Sequence, residues 1–225
     1  MKPITVLLAD DHHIVRDGLR SVLEADGGIQ VVAEASNGRI AIDLARKFRP
    51  DVVVMDIGMP VLNGLEATRQ IRKAVPEAKV LILSAHNDWT YVDQVMALGA
   101  VGYVLKQSSA HVLSQAVREV QNGSIYLSPS IARDRANFGN FSAPRLDGIH
   151  RPVAKLSSRE TEVIQLIAEG CANKQVAGDL GISVKTVEKH RQSLMKKLDI
   201  HDTAGLTRYA IASGIIESSL QLSTH

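Results

Sequence analysis

At 225 residues the chain is long enough for two ordinary domains. Hydrophobic residues make up 45% and charged residues 22%, and no apolar run reaches the ~18–20 residues that span a bilayer. The first apolar stretch is too short for a secretory leader and the single cysteine, Cys171, excludes an internal disulfide, so a cytoplasmic protein without membrane attachment is expected. Formal net charge is +2, but its distribution is uneven. Residues 1–127 carry 13 Lys/Arg against 14 Asp/Glu, whereas residues 171–198 carry six against two. That asymmetry predicts a control module joined to a polyanion binder.

Apolar, strand-like runs occur at 5–9, 30–33, 52–56, 80–84 and 101–105. Between and after them lie stretches at 13–25, 38–48, 63–74, 88–98 and 110–122 with helical spacing of apolar residues. Strands this apolar, alternating with helices, predict a doubly wound parallel sheet of five strands in an α/β domain over 1–127. Residues 128–151 are rich in Ser, Pro, Gly and Asn and read as a linker, in which a short helix over 129–136 fits. The remainder, 152–217, carries no strand pattern. It predicts a small all-α domain of four helices at 157–168, 173–180, 184–198 and 203–213, with Gly170, Gly181 and Gly214 as stops and Ser157 or Ser158 and Ser183 as N-caps. The second and third form a helix-turn-helix through Gly181-Ile182-Ser183.

Two constellations carry chemistry. Asp10 and Asp11 follow the first strand, Asp56 closes the third, Ser84 the fourth, and Lys106 follows the fifth. A parallel sheet brings all five to one edge. Crowded carboxylates there call for a hard divalent cation, and a lysine opposite them suits a phosphoryl group. On the helix 184–198, Val184, Val187, Leu194 and Leu198 share an apolar face. Lys185, Lys189, Gln192 and Lys196 share another, suited to the major groove.

Residues 3–122, with Leu8-Ala9-Asp10-Asp11-His12, Asp56-Ile57-Gly58-Met59-Pro60, Leu83-Ser84-Ala85 and Gly102-Tyr103-Val104-Leu105-Lys106 in order, resemble a response-regulator receiver domain with its flavodoxin-like sheet. The resemblance implies that Asp56 accepts a phosphoryl group from a sensor histidine kinase. It implies Mg²⁺ held by Asp11, Asp56 and the Gly58 carbonyl with Asp10 assisting, Lys106 pairing with the acyl phosphate, and Ser84 and Tyr103 as switch residues. Tyr103 is expected to turn inward as Ser84 moves. The family often has proline after the lysine; here Gln107 follows.

Leu156-Ser157-Ser158-Arg159-Glu160, Asn173-Lys174-Gln175-Val176-Ala177, Leu180-Gly181-Ile182-Ser183 and Lys185-Thr186-Val187-Glu188-Lys189-His190 resemble the LuxR-type helix-turn-helix of NarL/FixJ regulators. This implies sequence-specific binding of double-stranded DNA, with Glu188, Lys189 and Gln192 facing bases. Lys174, Lys185, Thr186, His190 and Arg191 would hold phosphates or the helix position, and Leu206, Tyr209, Ala210 and Ile211 a homodimer contact formed on phosphorylation. The expected function is therefore a phosphorylation-switched transcriptional regulator rather than an enzyme. An aspartate-nucleophile phosphatase would need a second Asp two residues after Asp56, where this chain has Gly58. A receiver serving as an interaction module independent of phosphorylation is disfavoured by the complete acidic and lysine set.

Overall fold

The computed structural model describes residues 2–25, 27–87, 89–138 and 156–216. They form two compact units, one built from the alternating strands and helices and one from the C-terminal helices.

The first unit begins with β1 (Ile4–Ala9), α1 (His13–Ala25), β2 (Ile29–Ala35), α2 (Gly38–Phe48), β3 (Val52–Asp56) and α3 (Gly64–Ala74). It continues with β4 (Lys79–Ser84), α4 (Trp89–Ala97), β5 (Gly102–Leu105), α5 (Ala110–Gln121), β6 (Tyr126–Leu127) and α6 (Pro129–Phe138). All pairings are parallel, in the order β2-β1-β3-β4-β5-β6. The strands read as near-continuous apolar runs because both faces are covered. On one face Val6, Leu8, Val52, Val54, Leu81, Leu83 and Val104 form a core with Leu23 of α1 and Leu113, Ala116, Val117 and Val120 of α5. Successive strand residues point to opposite faces, so the buried Leu7, Val53, Met55, Ile82 and Tyr103 line the other one.

Two expectations change. The sheet has six strands, not five: Tyr126 and Leu127 pair with Gly102 and Tyr103 on the outer side of β5. A two-residue strand is too short to display any period, and only its pairing reveals it. The segment from 128 does not start as a free linker either. Ser128 is buried and its Oγ accepts from the Leu105 N–H at 3.0 Å, and Ile131 at the start of α6 is fully buried. The rest of the expected linker, 139–151, lies outside the described residues, as do 152–155 and 217 of the expected C-terminal domain.

The second unit comprises α7 (Ser158–Ala168), α8 (Asn173–Leu180), α9 (Val184–Leu198) and α10 (Thr203–Ala212). Val163, Ile164, Ile167, Val176, Leu180, Val187, Leu194, Leu206 and Ala210 make its core. A capping box starts α7: the Ser157 N–H donates to Glu160 Oε2 at 2.8 Å while the Glu160 N–H donates to Ser157 Oγ. Gly181, at φ 61°, ends α8 in the left-handed conformation that glycine adopts without steric cost. Ser183 then caps α9 by accepting from the Thr186 N–H. Serine and glycine at the turn thus set the angle between the two helices.

Candidate functional site

The order β2-β1-β3 reverses the chain's direction of sheet growth between β1 and β3, which opens a crevice at the carboxyl ends of those strands. Asp10, one residue past β1, and Asp56, the last residue of β3, fall in it. Ser84 ends β4, and Lys106 follows β5. Lys106 Nζ stands 2.9 Å from Asp10 Oδ2 and 2.9 Å from Asp56 Oδ2, so the acids from two strands and the lysine from a third converge on one point. The Lys106 N–H donates to the Ser84 carbonyl at 2.8 Å, and the Ile57 N–H to Asp56 Oδ1 at 2.8 Å. Gly58 lies half-buried in the loop beyond. Gly64 closes that loop from the far side: its N–H donates to the Ile57 carbonyl at 2.9 Å, and a Cβ there would meet the Asp56 carbonyl oxygen at 1.9 Å. Only glycine lets α3 begin so near the phosphoacceptor candidate.

Burial pushes the Asp56 carboxyl up to about 6 against the opposing pull of Lys106. For Lys106 burial works downward, but the charges of Asp56 and Asp10 outweigh it and raise the ammonium above its ordinary value. The pair therefore stays charged at neutral pH with a carboxylate that is more basic, hence a better nucleophile, than a surface aspartate.

Oxygen ligands dominate the acidic corner. Asp10, Asp11 and His12 offer ligand atoms that all lie within 4.8 Å of one another. Asp10 Oδ2 and Asp11 Oδ1 are buried, and no backbone N–H or hydroxyl reaches them. Asp10 Oδ2 is met at ion-pair distance by Lys106 and Asp11 Oδ1 by the His12 ring. Buried carboxylate oxygens met only by one lysine and one imidazole, in a pocket of three acids, fit a hard divalent cation such as Mg²⁺, which prefers oxygen donors.

Tyr103 is fully buried, with its hydroxyl donating to the His86 carbonyl at 2.7 Å. The Tyr103 ring therefore lies inward in this structure. His86 also donates its N–H to Ser84 Oγ at 3.1 Å and stacks its ring on Tyr91, so the backbone of one residue touches both switch candidates. The peptide bond after Lys106 is trans. Sequence reasoning passed over His86, because a backbone role leaves no mark on residue type. It also passed over Arg16, whose buried guanidinium donates to the Asp10 carbonyl at 2.6 Å.

In the second unit the candidate surface lies on α9. Lys185, Glu188, Lys189, Gln192 and Lys196 are exposed, while Val187 and Leu194 are buried on the opposite side. Val184 departs from the expected apolar face: it is 39% exposed, since the first turn of α9 projects beyond the core. Lys174 is exposed at the start of α8, and Thr186 and His190 are half-buried. Arg191 donates to Asn173 Oδ1 and to Thr203 Oγ1, tying α9 to the starts of α8 and α10. Of the expected dimer residues, Leu206 and Ala210 are fully buried in the domain's own core and offer no side-chain surface to a second copy. Their i, i+4 spacing marks the inward face of α10. Tyr209 is half-buried and Ile211 is 40% exposed.

Residues 6–118 match the response regulator receiver domain family, and residues 154–210 the luxR family of bacterial regulatory proteins. The chain is 33% identical to the transcriptional regulatory protein DegU of Brevibacillus brevis, covering 95% of each. It is 37% identical to the response regulator UvrY of Escherichia coli strain K12, covering 94% of this chain and 95% of UvrY. The RcsB response regulator of Salmonella typhimurium is similar in structure, with a TM-score of 0.57 and 28% identity over 94% of this chain and 100% of that one. RcsB has also been solved as a complex with DNA, again at 28% identity and a TM-score of 0.57, covering 92% of this chain and 97% of that one. With both family models matched in order along one chain, the protein belongs to the two-component response regulators, with a receiver domain followed by a LuxR-type DNA-binding domain.

Proposed function

We propose that a sensor histidine kinase phosphorylates this regulator on Asp56 and that the phosphoryl group switches its binding to specific double-stranded DNA. The observation that carries this reading is the bridge of Lys106 Nζ between Asp10 and Asp56, 2.9 Å from each, at the crevice of the sheet. A buried carboxylate beside a lysine whose charge its acids favour suits the formation of an acyl phosphate.

An Asp56 carboxylate oxygen attacks the phosphorus of the donor, a P–O bond forms, and the bond from phosphorus to the donor breaks, its electron pair leaving with the donor. Lys106 balances the charge that gathers on the phosphoryl oxygens. Asp11, Asp56 and the Gly58 carbonyl, with Asp10 assisting, would hold Mg²⁺, which would supply further neutralisation of those oxygens. Ser84 then donates to a phosphoryl oxygen, and its movement is felt at His86 and through it at Tyr103, biasing a two-state element. Asp56 takes the group onto itself, so the protein is a phosphorylated switch rather than an enzyme with a separate substrate.

In the second domain, α9 enters the major groove with Glu188, Lys189 and Gln192 toward base edges. Lys174, Lys185, Thr186 and His190 contact phosphates. The RcsB–DNA complex supports DNA as the partner. A homodimer on paired half-sites would use the outer face of α10 around Ile211, with Tyr209 at its margin. Among the described residues no helix is long and apolar enough to cross a membrane.

The test is incubation of the full chain with radiolabelled acetyl phosphate and Mg²⁺. One phosphate should be incorporated, acid-stable and base-labile, and Asp56→Asn should remove it. Equal labelling of the variant would refute the site.

A further inference from the structure

The first unit contains a buried cation that touches the phosphoacceptor pocket only through a main-chain oxygen. Arg16, on the first turn of α1, is 9% exposed. Its Nη1 donates to the Asp10 main-chain carbonyl at 2.6 Å and its Nε to Glu34 Oε2 of β2 at 3.3 Å. Glu34 is shared: its Oε1 lies 2.6 Å from Arg20 Nη2. A buried guanidinium needs a paired charge and satisfied donors, yet this one has half a carboxylate and a backbone oxygen. What that oxygen belongs to is informative. The Asp10 N–H donates to the Ala35 carbonyl of β2 at 3.1 Å. Asp10 is thus tethered at its N–H by β2 and at its carbonyl by Arg16, and the peptide leading to Asp11 is fixed in direction. That peptide sets where both carboxylates aim.

We propose that Arg16 is a positioning residue for the cation-holding corner. By clamping the Asp10 carbonyl, it fixes the placement of Asp10 and Asp11, whose buried Oδ2 and Oδ1 face Lys106 and the His12 ring in that corner. This rests on the reading of the pocket as a divalent-cation and phosphoryl site. Arginine suits the task because its planar fork donates in two fixed directions at once, to a carbonyl and to a carboxylate; a lysine ammonium on a flexible stem would hold the two less rigidly. Glu34 in turn orients the fork. Groups that orient metal ligands in this way typically change metal affinity about 10–100-fold when removed.

The experiment uses the full chain with Mn²⁺ as the probe, its free concentration read by electron paramagnetic resonance, in wild type, Arg16→Met, Arg16→Lys and Glu34→Gln. Alongside it, acetyl phosphate labelling is measured across Mg²⁺ concentrations. Arg16→Met should bind Mn²⁺ about tenfold more weakly or worse and raise the half-saturating Mg²⁺ for labelling in parallel, with a smaller loss of labelling at saturating Mg²⁺. Arg16→Lys should recover only part of the affinity. Glu34→Gln, which leaves the buried guanidinium in place, should weaken binding by a smaller factor and carries the test if Arg16→Met does not fold. Arg16→Met or Glu34→Gln folded, with Mn²⁺ affinity within about twofold of wild type on the scale of that tenfold expectation, would overturn the positioning role while leaving the pocket reading intact. A wild type that neither binds Mn²⁺ nor accepts phosphate would overturn both.

Discussion

The two units build their sites in opposite ways. In the receiver, Asp10, Asp56, Ser84 and Lys106 come from four strand ends spread over 97 positions, numbers 10 to 106. They meet in a buried corner where one lysine bridges two acids. In the DNA-binding domain, Lys185, Glu188, Lys189, Gln192 and Lys196 come from one helix and stay exposed along a single face. The first site depends on topology and low polarity; the second needs only a helix held at the right place. Its key acid shows the contrast. Burial pushes Asp56 up to about 6, whereas for Glu160 burial is outweighed by hydrogen bonds from Lys197, the Ser157 backbone and the Ser193 and Ser157 hydroxyls, which hold its carboxyl down at about 2. One acid is left more basic by its burial; the other is spent on holding α7 to α9, with Lys197 Nζ at 2.7 Å and Ser193 Oγ at 2.8 Å.

If a buried convergent site differs from an exposed helical one as described, single changes should separate them. The largest effect is expected from Lys106→Ala, which strands two buried acids without their shared cation. Phosphoryl acceptance should fall by about 10²–10³-fold, read as the initial rate of acetyl phosphate labelling, while DNA affinity of the unphosphorylated chain stays unchanged. Next comes Leu194→Ala. This fully buried α9 side chain packs in the C-terminal core, and its truncation should cost about 2–5 kcal/mol. Urea denaturation followed by amide resonances of α7 and α9 would show the loss, with labelling of Asp56 preserved.

Acid should act on the second domain by a similar amount. The folded-state pKa of Glu160 is depressed from 4.5 to about 2, so its contribution is complete above the ordinary carboxyl range. It is lost as pH falls from about 4.5 toward 2. As much as about 3 kcal/mol should disappear across that window, and Glu160→Gln should flatten the dependence. A C-terminal domain whose stability is level from pH 5 to pH 2 would break the assignment. The smallest effect is expected from Lys189→Ala. Removing one exposed contact should weaken DNA binding by about 1–3 kcal/mol if it reads a base; a phosphate contact would instead lower the salt slope by about one unit. Phosphate incorporation should not change in either case. Unaltered affinity and slope would place the recognition face elsewhere.

The amino-acid sequence alone determined most of the element order. Strand β3 lies where its apolar run predicts it and helices α1, α2, α8 and α9 where their spacing predicts them, because a strand covered on both faces and an amphipathic helix each leave a mark in local residue order. The exposed face of α9 was legible for the same reason. Asp10, Asp56, Ser84 and Lys106 were legible as a set because every parallel strand delivers its carboxyl end to one edge. Only the tertiary structure decided the rest. It revealed β6 as a sixth strand, since two residues carry no period and are recognised by their partner β5. It assigned Leu206 and Ala210 to the domain's own core, because an apolar helix face looks the same in sequence whether it meets its own fold or a second copy. Arg16 and His86 gained their places through backbone atoms, the Asp10 carbonyl for the first and its own N–H and carbonyl for the second. Backbone partners belong to no residue type, so packing alone can assign them.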